Sequence, residues 1–147
     1  MDVFDRIAAW TGAVVSLIGL AWRLITWRRS RHKIKVSVTN ILYPKPGFAP
    51  IHFVKIKAVN TGPDQVTITN WGIKAKGYGE IGPFSRFPLT NSVPTSLGIN
   101  EYVEFYVDSE DLRGVNDEFK IPFKRMIPWV VLSNDKKVCS RRAVPLA

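Results

Sequence analysis

Cysteine is almost absent from this chain: Cys139 stands alone, so an internal disulfide is excluded. Histidine is nearly as scarce. His32 and His52 are the only two, and neither stands at a metal-ligand spacing from Cys139. The sequence also lacks a Walker loop, the glycine fingerprint of a dinucleotide fold and a nucleophile elbow, which removes sequence support for the commonest nucleotide and hydrolase chemistries. No N-x-Ser/Thr acceptor occurs. Acid is in deficit too, with 12 Asp and Glu against 21 Lys and Arg, a net charge of +9. These absences predict no catalytic residues, no metal site and no cofactor, and they leave binding as the expected business of the chain.

What is present begins with a near-continuous apolar run, Ile7–Trp27, closed by the basic cluster Arg28-Arg29-Ser30-Arg31-His32-Lys33. At about 1.5 Å per residue the run reaches roughly 30 Å, the thickness of a bilayer core. Residues 1–33 are therefore read as a transmembrane anchor with a basic juxtamembrane segment. The expected membrane-interface residues are Trp10, Trp22, Arg23, Trp27, Arg28, Arg29, Arg31 and Lys33, with rings at the headgroup boundary and Arg23 extending its stem toward it. The alternatives are an in-plane amphipathic helix and a helix buried in an assembly. Asp2 and Asp5 precede the run, and no small-residue cleavage site follows it, which argues against a cleaved leader. The basic flank predicts an outside N-terminus and a cytoplasmic C-terminal domain. Ala8, Gly12, Ser16 and Gly19 form a small-residue stripe, the pattern of a helix-association face, and raise the expectation of a homo-oligomer.

Residues 34–147 suffice for one modest core and read as predominantly β. Ile34, Val36 and Val38 alternate with Lys35, Ser37 and Thr39; Val54, Ile56 and Ala58 alternate with Lys55 and Lys57. Adjacent Phe53 and Val54 suggest a bulge or edge adjustment. Asn60-Thr61-Gly62-Pro63-Asp64 makes a turn. Val66 and Ile68 then change parity to Trp71, Ile73 and Ala75, which a one-residue bulge near Asn70 would reconcile. Val103, Phe105 and Val107 define a further strand. Asp108 and Ser109 offer a cap to a short helical turn that Gly114 should stop. Two last strands are expected near Trp129–Leu132 and Lys137–Ala143. Strands so short and so regularly punctuated predict an immunoglobulin-like β-sandwich, with a small barrel as the alternative, and Val36, Ile56, Trp71, Val103 and Phe105 as core.

The stretch Val59–Ile68 followed by Trp71-Gly72, and Val103–Asp108 entering a helical turn, resemble uncharacterised bacterial or phage-associated small immunoglobulin-like β-sandwich proteins. The resemblance implies shape and brings no functional residues with it. Combined with the apolar run, it implies a bacterial inner-membrane location.

The positive charge is divided between the apolar segment's flank and the β-domain. Lys55 and Lys57 share a strand face, and Lys136, Lys137, Arg141 and Arg142 gather across a turn as a candidate partner-binding patch. Such a patch suits anionic lipid headgroups or an acidic protein, while the lack of an aromatic or helical recognition motif disfavours nucleic acid. The expected function is a membrane-tethered noncatalytic interaction or assembly subunit. The alternative is an oligomerising effector that permeabilises the membrane through the small-residue stripe.

Overall fold

The computed structural model describes residues 3–29, 33–81 and 90–146, with side chains in the first helix described at Gly12 and from Val14 to Trp27. The chain divides into two compact units, Met1–Arg31 and His32–Ala147.

In the first unit a single helix, α1, runs over Val3–Arg29. Its described large apolar side chains, from Val14 to Trp27, are exposed around the whole circumference. The hydroxyls of Ser16 and Thr26 donate back to Gly12 O (2.8 Å) and Trp22 O (2.6 Å), the usual way a hydroxyl is satisfied inside an apolar helix. Among the described residues no helix is long and apolar enough to cross a membrane. The charged side chain of Arg23 interrupts the apolar run. This corrects the spanning assignment of Ile7–Trp27. With it go the outside-to-inside topology, the inner-membrane location, the lipid-headgroup partnership, the membrane tether and the permeabilising effector, each of which required a span.

The second unit is mainly β. Strand β1 covers Ile34–Tyr43, β2 Ile51–Asn60, β3 Val66–Ala75, β4 Gly79–Ile81, β5 Thr95–Leu97 and β6 Tyr102–Asp108. Helix α2 follows over Ser109–Phe119, then β7 over Met126–Leu132 and β8 over Lys137–Cys139. One sheet has the order β1-β2-β6 and the other β4-β3-β7-β8, with β5 also paired to β3; every pairing is antiparallel. Both sheets are open, so the barrel alternative does not apply to the described residues.

The sheets share one core because each strand turns its apolar parity inward. Val36, Ile56, Val103 and Phe105 come from one sheet and Ile68, Trp71, Ile73 and Val130 from the other. Trp71 lies flat on Phe105 between the layers, ring centroids 4.7 Å apart and 13° from parallel. The register of β3 against β7 shifts between Ile68 and Asn70, and this bulge puts Val66 and Ile68 on the same face as Trp71 and Ile73. Gly72 sits opposite Trp129, where a Cβ would come within 2.8 Å of the indole, so that position accepts only glycine.

Three local expectations are corrected. No bulge occurs at Phe53 and Val54, for the pairing of β1 with β2 and of β2 with β6 is continuous. Both residues are buried because the two faces of β2 are covered, Phe53 meeting Tyr43 edge-on at 6.4 Å. Helix α2 passes through Gly114 and ends only at Lys120, which takes the left-handed conformation (φ 55°). Its start is as expected, with the Asp108 carboxylate accepting from the Glu110 N–H at 2.9 Å. The last strand stops at Cys139, short of Ala143.

The two edges of the three-stranded sheet differ. The Thr61 N–H donates to Lys33 O at 2.8 Å, in register with the pairs Lys35↔Val59 and Ser37↔Lys57. Antiparallel alternation then turns the backbone groups of Lys35, Ser37 and Thr39 toward β2 and those of Ile34, Val36 and Val38 toward the outside. No described hydrogen bond reaches that outer edge. At the opposite edge, Asn91 exchanges hydrogen bonds with the Glu104 backbone (3.3 Å each), and Thr90 Oγ1 contacts Tyr106 N at 3.2 Å and O at 3.3 Å.

Candidate binding cleft between two sheet edges

The free edge of β1 faces the edge formed by β8, and between them opens a cleft of about 1000 Å³. One wall is the run from Lys33 to Thr39 with Thr61; the other runs from Lys136 to Arg142. Neither wall contributes an Asp or Glu. Ile34, Val38 and Val138 are half-buried against the core, giving the cleft an apolar floor under a basic rim.

The turn before β8 sets the rim. Asp135 takes a left-handed conformation (φ 58°), the Lys136 N–H donates to Asn134 Oδ1 at 3.1 Å, and Lys136 O accepts from Leu132 N. Beyond β8, Ser140 is buried: its N–H donates to Pro128 O at 2.7 Å, and its hydroxyl accepts from the Arg142 N–H at 3.2 Å. Arg141 and Arg142 are thereby carried on an anchored backbone while remaining largely exposed.

The structure brings Lys136, Lys137, Arg141 and Arg142 to one wall, and gives Lys137 a different environment. Its ammonium pairs with the Glu80 carboxylate and lies 4.3 Å over the Trp129 ring. Lys33, assigned from sequence to the membrane interface, is a wall residue of this cleft, as is Lys35, which strand alternation alone had not singled out. Trp22, Arg23 and Trp27 are exposed on α1, as are Gly12, Ser16 and Gly19 of the small-residue stripe. A Cβ at Gly12 or Gly19 would meet nothing within 4 Å, so the stripe has no described neighbour. The side chains of Ala8, Trp10, Arg28 and Arg29, and all of Arg31, lie outside the described residues. Cys139 is exposed on β8, and His52 belongs to the other sheet.

Two lysines of β2 are already engaged. On the outer face of the three-stranded sheet Lys55 pairs with Glu104 at 3.3 Å, and Lys57 sits 3.8 Å over the Tyr102 ring. The Tyr106 hydroxyl donates to Glu104 Oε2 at 2.7 Å. Burial alone would raise the Glu104 pKa, but the Tyr106 hydrogen bond and the two lysines outweigh it and hold the carboxyl below its ordinary 4.5. Burial and the same carboxylate push the Tyr106 phenol from 10.0 to about 12. Among the described residues, the ion pairs are those of Lys55 with Glu104 and Lys137 with Glu80, so Lys33, Lys35, Lys136, Arg141 and Arg142 have no described acidic partner.

A second polar site was missed from the sequence. Asn60 is fully buried at the end of β2; its Nδ2 donates to Asp64 O (2.7 Å), Leu97 O (3.1 Å) and Gly98 O (3.1 Å), and its Oδ1 accepts from the Gly62 N–H (3.0 Å). Asn60 pins the β2–β3 turn to the chain entering β6, a structural role that the turn composition alone does not distinguish from an exposed asparagine. Among the described residues no three His, Cys, Asp or Glu side chains gather as a metal site would require. Set beside known protein families and characterised proteins, the chain matches no family model and no characterised sequence.

Proposed function

We propose that the His32–Ala147 unit is a noncatalytic binding module that holds an acidic segment of a partner protein in the cleft between β1 and β8. One observation carries this reading: cations from both walls, Lys33 and Lys35 on one side and Lys136, Arg141 and Arg142 on the other, converge on a cleft with no acidic lining. Like charges gathered without counter-charge favour an anionic guest, and a low-dielectric floor strengthens the attraction. The apolar floor favours a polypeptide over a small inorganic anion, since it offers contact area that phosphate or sulfate cannot use.

The test is fluorescence anisotropy of labelled polyglutamate with the full chain and with a Lys136→Ala/Arg141→Ala/Arg142→Ala variant. Binding to the unmodified chain should weaken at least tenfold in the variant and fall steeply with salt, while the urea midpoint stays in place because these side chains are exposed. Equal affinity for both proteins at low salt would refute the assignment.

A further inference from the structure

We infer that the partner segment enters the cleft as an extended strand that adds to the free edge of β1, and that its side chains alternate between acidic and apolar. This inference rests on the cleft reading above and specifies how the cleft recognises its guest.

The backbone supplies the first argument. Ile34, Val36 and Val38 turn their N–H and C=O groups outward along the cleft, and no described group bonds to them. Unpaired edges of this kind are normally blunted by proline, by a bulge or by brevity. β1 has none of these: its register with β2 is unbroken from Ile34 to Tyr43 and it contains no proline, so its protection against self-pairing is the charge of Lys33 and Lys35. The other edge of the same sheet is covered by Thr90 and Asn91. The facing strand β8 has only the three residues Lys137–Cys139, so β1 is the longer of the two facing edges.

The side chains supply the second. A strand added beside β1 repeats its alternation, one set of residues facing the sandwich interior and the next facing outward. The inward set would meet Ile34, Val38 and Val138, which are half-buried at the cleft floor. The outward set would lie across from Lys33 and Lys35, which are exposed on the opposite parity of β1. Lys136, Arg141 and Arg142 on the far wall add positive potential to the same channel. Apolar residues therefore fit one face of the guest and carboxylates the other. An acidic helix fits poorly, because its backbone donors are already used and the edge of β1 would stay unpaired.

The experiment uses the full chain and an acetylated, amidated peptide alternating glutamate and valine, with residue-resolved amide hydrogen exchange as the readout. On binding, the amides of Ile34, Val36 and Val38 should exchange at least tenfold more slowly, whereas those of Lys35, Ser37 and Thr39, already bonded to β2, should change little. Two further peptides, N-methylated at alternate sets of positions, should differ at least tenfold in affinity, since only one set points its N–H groups at β1. Peptide binding without slowed exchange at the three edge amides, or equal affinity of the two N-methylated peptides, overturns strand addition and leaves the acidic-segment cleft standing. Failure of both this peptide and polyglutamate to bind overturns the cleft reading and the inference together. Slow exchange at those amides in the free protein, with a dimer in sedimentation, assigns the edge to a second copy of the chain and overturns the proposed guest.

Discussion

The two edges of the β1-β2-β6 sheet are built from similar alternating strands, yet among the described residues one has hydrogen-bond partners and the other has none. Along β6, Thr90 and Asn91 supply the missing hydrogen-bond partners, and Lys55, Glu104 and Tyr106 form a compensated network on the adjoining face. Along β1 the backbone groups of Ile34, Val36 and Val38 border a cleft whose Lys33, Lys35, Lys136, Arg141 and Arg142 have no described acidic partner. A strand edge left unpaired in a folded domain invites association. On the proposed reading, the charge along this edge disfavours pairing with a like-charged copy and selects a guest of opposite sign. Stability and recognition are, on that reading, allotted to opposite sides of one sheet.

The most disruptive way to break this contrast is to remove what holds both edges. Trp71→Ala deletes the ring stacked on Phe105 between the sheets and should cost about 3–5 kcal/mol, seen as a large fall in the urea midpoint. Loss of under about 1 kcal/mol would mean that the layers are joined chiefly elsewhere. A smaller effect is expected at the closed edge. Replacing Thr90 by Val and Asn91 by Leu removes the side-chain partners of the Glu104 N–H and of the Tyr106 N–H and C=O, and should cost roughly 1–3 kcal/mol and speed exchange of the Tyr106 amide. If exchange there is unaltered, another group covers β6 and the contrast between the edges weakens.

The smallest effect is a pH dependence confined to the β6 side. The Glu104 carboxyl is held below 4.5 in the folded chain, so its contribution is present above 4.5 and is lost as the pH falls through the lowered folded value. Tyr106 behaves oppositely at the alkaline end. Its phenol, raised from 10.0 to about 12, keeps a proton that the unfolded chain releases, so its contribution is complete below 10.0 and fades as the pH rises toward 12. In Tyr106→Phe the alkaline decline over that interval should diminish, and the acid limb should become shallower because Glu104 loses its hydroxyl donor. Urea midpoints measured across pH check both limbs; unchanged curves would show that the network carries no net stability.

Much of the β-domain can be read from alternation. Val36, Ile56, Trp71, Val103 and Phe105 are all buried, and the parity change between Ile68 and Trp71 marks a true register shift, because side chains alternate strictly along a strand and the core accepts only one parity. Gly114 misled because a glycine inside a helix costs only about 1 kcal/mol, which the packing of Leu112 beneath α2 can offset. The apolar run near the N-terminus misled for a different reason: hydropathy measures the preference of a segment for apolar surroundings without saying what supplies them, and among the described residues no helix is long and apolar enough to cross a membrane.

Residue pattern alone thus settles the mainly-β class, the parity of the principal strands and the crowding of Lys136, Lys137, Arg141 and Arg142 into one turn region, since these depend on neighbours in the chain. It could not reveal that Lys137 would be taken by Glu80, that Lys33 and Lys35 would face Arg141 and Arg142 across a cleft, or that β1 would keep an open edge while β6 is covered. Those outcomes join residues far apart in sequence, and they are decided only when the strand order has determined which edges meet and which remain unpaired.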